Sequence, residues 1–254
     1  ARERVLMDMA DRQKLEAARA RSEDDGESET GVAPDWLETG SHPDYQAVKF
    51  LTVIGVGGVV YSLSRRFQVL RLARKENRFD RPWERLKNLL VYAIGQKKMF
   101  DDPFAGVYHI LIFYGFLVVS IRTLTMVIEG LFAGWELPLL HTPVGHAYLF
   151  SKDVFELLVL VGLAFAVWRR GIQRKDRVVQ SFNAWLVIGL IALLMVTDLA
   201  SEGARIAAGE ISASFLPVSA LLGRLFADLS QSTLQALYSS MWWLHLLTLY
   251  YFAN

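Results

Sequence analysis

Two histidines lie where an ionisable side chain is hardest to accommodate: His109 in Tyr108-His109-Ile110-Leu111-Ile112-Phe113-Tyr114-Gly115-Phe116, and His245 in Trp242-Trp243-Leu244-His245. Both runs are apolar and aromatic, and imidazole in such a run is by default a functional-site hypothesis. The sequence has no cysteine, so disulfides, thiolate metal sites and iron-sulfur ligation are excluded, and a metal must be held by histidine or carboxylate. Haem b asks for neutral imidazole on facing helices, an apolar slot, and small residues where the macrocycle meets backbone. At helical spacing His109, Ile112, Phe113 and Phe116 share one face, and Gly115 beside it could admit a porphyrin edge. The plainer alternative for each histidine is a hydrogen bond to a neighbouring helix. His146, near the outer mouth of a helix, is a minor ligand candidate, while His42 and His141 are expected to be solvated.

The elements that must position these residues follow from hydrophobic patterning. Hydrophobic residues make up 53% of the 254 residues, well above a soluble domain. Windows long enough to cross about 30 Å fall near residues 47–66, 104–132, 153–170, 181–200 and 231–254. The expected fold is therefore all-α, an integral membrane bundle of five transmembrane helices. Basic residues orient it: 11 lie in residues 65–98 against three acidic ones, and five more in residues 169–177. Those loops are expected on the cytoplasmic side, with the N-terminus outside and the C-terminus at the inner face. Residues 67–98 mix Trp83, Leu86, Leu89 and Tyr92 with charges and suggest amphipathic helix along that face. Residues 1–48 carry 12 acidic and 6 basic residues and read as a largely disordered extramembrane segment, with a short amphipathic helix allowed in residues 1–21. No basic stretch followed by an apolar core opens the sequence, so no signal peptide is expected. Gly55, Gly57 and Gly58 superficially resemble a dinucleotide-binding turn, but inside an apolar span they point to close helix packing.

Charged residues near helix ends extend the list of candidates. Arg122 and Arg205 could pair with haem propionates, or snorkel to lipid headgroups. Asp198 and Glu202 are one turn apart and could transfer protons for a quinone, with solvation at a helix end as the alternative. Lys97, Lys98, Asp101 and Asp102 precede His109 and could meet a redox partner or a quinone headgroup, although the lysines also suit the positive-inside pattern.

Together, residues 96–116, the Lys152-Asp153-Val154-Phe155-Glu156 run with Arg169-Arg170 after it, Leu194-Met195-Val196-Thr197-Asp198 and Trp242-Trp243-Leu244-His245 resemble the cytochrome b membrane domain of the nitrate reductase gamma-subunit superfamily. Within it, the likeness is nearest to the membrane part of heterodisulfide-reductase-like iron-sulfur oxidoreductases, including electron-transfer-flavoprotein:quinone oxidoreductases. It covers about residues 49–254. The resemblance implies a bundle holding one or two b-type haems in a prokaryotic inner membrane. Electrons would pass between membrane quinone and a cytoplasmic iron-sulfur protein, with an electron-transfer flavoprotein as a further partner. His109 matches the family's ligand near the cytoplasmic end of the second helix, and His245 the first ligand of the fifth. Two-haem members carry another histidine ten residues after the first, where this sequence has Val119, and a further one 18 residues after His245, which would fall beyond Asn254.

With those departures, one haem shared by His109 and His245 is the simplest arrangement. His109 is about 8 Å inside the inner end of its span and His245 about 21 Å from the outer end of its own, so in a core of about 30 Å their depths agree within a few ångström. Helix tilt would instead separate them onto two haems. One-electron transfer of this kind needs no general acid or nucleophile, and the chain reads as a subunit or fragment of a quinone-linked oxidoreductase. A haem-free membrane anchor for soluble redox subunits is the alternative. A transporter or channel subunit fits less well, because few buried polar residues are expected within the spans. Nucleic-acid binding has no support, since the basic loops follow topology.

Overall fold

The computed structural model describes residues 43–72, 79–132, 135, 137–140, 142–173 and 181–254. Of the acidic segment expected at residues 1–48, residues 1–42, with His42, lie outside the described residues, as does the loop residue His141, while residues 43–48 are helical. Seven α-helices and no strand occur among those described: α1 (Pro43–Arg71), α2 (Pro82–Asn88), α3 (Pro103–Leu131), α4 (Pro143–Trp168), α5 (Phe182–Ala208), α6 (Pro217–Phe226) and α7 (Gln231–Ala253). A π-helical turn, Leu89–Ile94, follows α2, and another, Arg169–Gln173, extends α4.

Local chemistry sets the helix starts. Proline occupies the first turn of α2, α3, α4 and α6, where its missing N–H costs nothing. Asp102, Ser181 and Ser230 accept from the backbone N–H groups of Ala105, Ala184 and Thr233 and so cap α3, α5 and α7. Gly209, at φ 79°, closes α5 in the left-handed conformation.

The packing is inverted relative to a soluble protein. Phe50, Val53 and Ile54 of α1, Phe116, Ile121 and Leu124 of α3, and Leu244, Leu247 and Tyr251 of α7 face outward. Threonines, serines and charged groups are sequestered between helices. A lipid solvent rewards this arrangement, because tails are as apolar as leucine and helix association draws on close packing and polar contacts. Three helices are long and apolar enough to cross a membrane, over Tyr45–Arg71, Pro103–Ile128 and Phe182–Ala208. Of the five expected spans, α4 departs because Lys152, Asp153 and Glu156 sit in its middle. The uncharged α7 departs because tryptophan, tyrosine and serine, with His245 and Thr248, lower its hydropathy along the whole helix.

The helices form one bundle in which α5 packs on α6 and α7, α3 on α4, and α1 on α3 and α7. Gly55 and Gly58 bring α1 against Tyr250 and Asn254 of α7, the close packing expected of them. The ends that border the two basic segments meet: Arg169 donates to Asp102 at 2.7 Å, and Phe104 lies edge-on to Trp168 at 5.8 Å. At the opposite end Leu140, Leu149, Ile211 and Leu216 form a small core. The segment after α1 has the exposed apolar residues Phe79, Trp83, Leu86, Leu89 and Leu90 among its charges.

Candidate functional site

His245 is buried on α7, and its ring is held by α5. Its Nδ1 is 3.1 Å from the Leu194 carbonyl oxygen and 3.1 Å from Thr197 Oγ1. A carbonyl only accepts, so Nδ1 carries the proton and donates. Thr197 in turn donates to the Leu193 carbonyl at 2.7 Å, which leaves its lone pairs free to accept from the imidazole. This fixes the tautomer with an unprotonated Nε2, as in metal-ligating histidines whose other nitrogen is tied to backbone. His245 borders a cleft of about 20 Å³, shared with Arg122 and Met126 of α3, Asp198, Glu202 and Arg205 of α5, and Tyr238 and Trp242 of α7. A cleft that small holds about one water molecule.

Next to the cleft is a fully buried lysine. Lys152 Nζ lies 2.6 Å from Glu202 Oε1, 2.7 Å from Asp198 Oδ2 and 3.2 Å from Glu156 Oε1. The neighbouring Asp153 turns to α6 and accepts from the N–H groups of Val218 and Ser219 at 2.5 and 3.0 Å. Those donors are the free N–H groups of a helix start, which favour an anion. Ser219 Oγ joins the two halves, at 2.6 Å from Asp153 Oδ1 and 3.0 Å from Glu202 Oε2.

Of the residues singled out from sequence, Arg122, Asp198, Glu202, Arg205 and His245 come together at this cleft. Asp198 and Glu202 are not solvated at a helix end but paired with Lys152. Arg205 donates to Glu210 at 3.1 Å and lies 5.3 Å over the Tyr238 ring. The others are elsewhere. His109, half-buried near the start of α3, contacts Gln96 Oε1 through Nε2 at 3.3 Å and stacks on Phe113. Lys97, its Nζ 6.0 Å over the Tyr92 ring, belongs to that same end, so it does not act with Asp198 and Glu202. His146 stacks on Phe215 at 4.1 Å in the opposite end. Gly115 faces α4, where Val159 and Phe155 fill the notch expected to admit a porphyrin edge.

The two central histidines are not at one depth. His245 shares its cleft with Arg122, which lies 13 residues beyond His109 on the same straight helix, a rise of about 20 Å. The agreement expected from span ends fails because it rested on a crossing of about 30 Å, whereas α3 and α5 run for 29 and 27 residues, about 40 Å each. His245, 14 residues into α7, packs beside Leu194 and Thr197, which are 14 and 11 residues from the end of α5 at Ala208, whereas His109 is six residues from the opposite end of α3.

Lys152, Asp153, Glu156 and Ser219 were missed as site residues. Lys152 counted as an outer-loop cation because the span was placed at residues 153–170, whereas Pro143 starts α4 nine residues earlier than Lys152 and carries it into the bundle. The i,i+4 pairs Lys152–Glu156 and Asp198–Glu202 were the available signal, and they also overturn the expectation of few buried polar residues.

This arrangement belongs to a chain related to part of electron-transfer oxidoreductases. The chain is 30% identical over 200 residues to the probable iron-sulfur-binding oxidoreductase FadF of Bacillus subtilis (strain 168), a match covering 78% of this chain and 28% of that protein. It is 24% identical over 211 residues to the EtfAB:quinone oxidoreductase of Syntrophomonas wolfei subsp. wolfei, covering 77% and 29%. It thus spans less than a third of the length of either relative. No protein-family model matches the chain, and no solved structure matches it.

Proposed function

We propose that this chain is the membrane cytochrome b domain of a quinone-linked oxidoreductase of a prokaryotic inner membrane. It passes electrons between the quinone pool and a cytoplasmic iron-sulfur or flavoprotein partner. In this reading α1, α3, α4, α5 and α7 all cross the bilayer, and the basic ends joined by Arg169 and Asp102 face the cytoplasm. The relatives' names support the chemistry at either end of the route: one is iron-sulfur-binding and the other acts with quinone.

The observation that carries the haem reading is His245, with Nδ1–H tied to the Leu194 carbonyl and Nε2 left to bind iron. Haem b would supply a one-electron carrier there only with the helices further apart than they are here, because the present cleft of about 20 Å³ admits about one water. His245 would hold its iron, Thr197 and Leu194 would orient the imidazole, and Arg122 and Arg205 have the charge to meet propionates. His109, 13 residues before Arg122 on α3, would serve a separate haem at the inner end, with Gln96 yielding its Nε2. The haem-free anchor remains a second reading at that end, supported by the Gln96 contact and by the closed packing at Gly115.

The test is a dithionite-reduced minus oxidised spectrum of the detergent-purified protein, with haem counted per chain as the pyridine haemochrome. A b-type spectrum that His245→Ala loses and His109→Ala changes separately is expected. A protein isolated intact with its redox partners and carrying no haem refutes the cytochrome reading and leaves the anchor.

A further inference from the structure

Three carboxyls, Glu156 of α4 and Asp198 and Glu202 of α5, surround one ammonium, Lys152, and a fourth, Asp153, joins them through Ser219. Arg122, Arg205 and His245 face the group from the cleft, Tyr148 lies one turn before Lys152 on α4, and α6 contributes Ser219 and the N–H groups that hold Asp153. Two details show that a proton belongs to this assembly. Ser219 Oγ contacts a carboxylate oxygen on each side, at 2.6 and 3.0 Å, yet a hydroxyl has one proton to give. Both contacts are hydrogen bonds only if one of the two carboxyls carries a proton, and Asp153, which already accepts from the Val218 and Ser219 N–H groups, leaves Glu202 as the one that does. Glu156, with none of its side chain exposed, has the Lys152 ammonium at 3.2 Å as its only cationic contact, and that ammonium lies closer to Asp198 and Glu202. Ionised carboxylates in excess of their counter-charges are not tolerated in so dry a setting, and a proton is the smallest cation that restores balance.

We propose that this assembly holds an exchangeable proton and passes it between the His245 cleft and the end of the bundle at α6, through Glu202, Ser219 and Asp153. Ser219 gives its hydroxyl proton to Asp153 Oδ1 as it takes one from Glu202 Oε2. One O–H bond forms on Asp153, one breaks on Glu202, the hydroxyl is regenerated, and no electron moves. Asp153 lies under the first turn of α6, whose Pro217 is exposed, and the cleft at the other end has room for a water. The site stands on the geometry alone; only the origin of the proton, a quinol giving up its electrons, rests on the redox reading above.

Infrared spectroscopy of the purified protein in lipid nanodiscs tests this with or without bound haem. At pH 7 a buried carboxylic-acid C=O stretch that moves down in D2O is expected, and Glu202→Gln should remove it. Ser219→Ala should keep the band while slowing its exchange in D2O at least tenfold. Absence of the band in the wild-type protein, its survival in Glu202→Gln, or unchanged exchange in Ser219→Ala overturns the proposal. If Glu202→Gln does not fold, Ser219→Ala decides alone. A band that behaves as expected in a protein shown to bind no haem would sink the redox reading and leave the proton site standing.

Discussion

Lys152→Met is the sharpest perturbation the structure offers. The two side chains are similar in length and volume, so the substitution removes charge with little change in packing. What remains is three carboxylates, at 2.6, 2.7 and 3.2 Å from an ammonium no longer present, in a position with no solvent access. Breaking a buried ion pair by removing one partner costs about 3–5 kcal/mol, mostly through the charge left uncompensated. Here the lysine ties α4 to α5, and α5 to α6 through Glu202 and Ser219, so the loss falls on the bundle and not on one helix. Unfolding by increasing mole fraction of SDS in mixed micelles, followed by circular dichroism, measures it. Lys152→Met/Asp198→Asn should recover part of the loss, with a coupling of about 1–3 kcal/mol. A single mutant within about 1 kcal/mol of wild type, the range of an exposed ion pair, refutes the reasoning.

Three further perturbations separate the other contacts. Gly115→Leu drives a side chain into Val159 and should destabilise the α3–α4 contact by about 1–3 kcal/mol in the same SDS titration. Asp102→Ala should cost about 1 kcal/mol by removing the cap on Ala105, with little added from Arg169 because Asp102 is 55% exposed on that side chain. At Asp80 the Arg85 guanidinium hydrogen-bonds the carboxyl and holds it below its ordinary 3.8. A carboxyl depressed in the folded state stabilises above its unfolded value and loses that contribution as pH falls through the folded one. Amide protection across α2 should therefore stay constant from neutral pH down to about that value and fall only below it.

The helical class, the order of the apolar segments and the meeting of the two basic ends could be read from the sequence, since each rests on local periodicity and charge. His245, Arg122 and Arg205 could also be picked out, because an ionisable side chain in an apolar run stands out whatever its partners. Depth could not. It depends on where each helix begins relative to its neighbours, and a span window starting at residue 153 hid the nine helical residues that Pro143 adds before Lys152. The equal depth expected for His109 and His245 failed for a different reason: it assumed a crossing of about 30 Å, whereas α3 and α5 are 29 and 27 residues long. The role of Ser219 was out of reach for another reason: its partners, Asp153 and Glu202, are 66 and 17 residues away in sequence, and only tertiary packing brings them to one hydroxyl.

That packing depends on a short helix coming unusually close to a long one. α6 can reach Asp153 only if its backbone lies against α5, and Gly203 and Gly223 meet there. A methyl group at Gly203 would overlap Leu222, and one at Gly223 would overlap Ile206. Ile211 and Leu216 anchor the segment that leads into α6, packing with Leu140 and Leu149 as one small core. The apolar seal and the polar relay are thus parts of one construction. Small residues let α6 settle onto α5, its first N–H groups then neutralise Asp153, and Ser219 is left between two carboxyls where a proton can be shared.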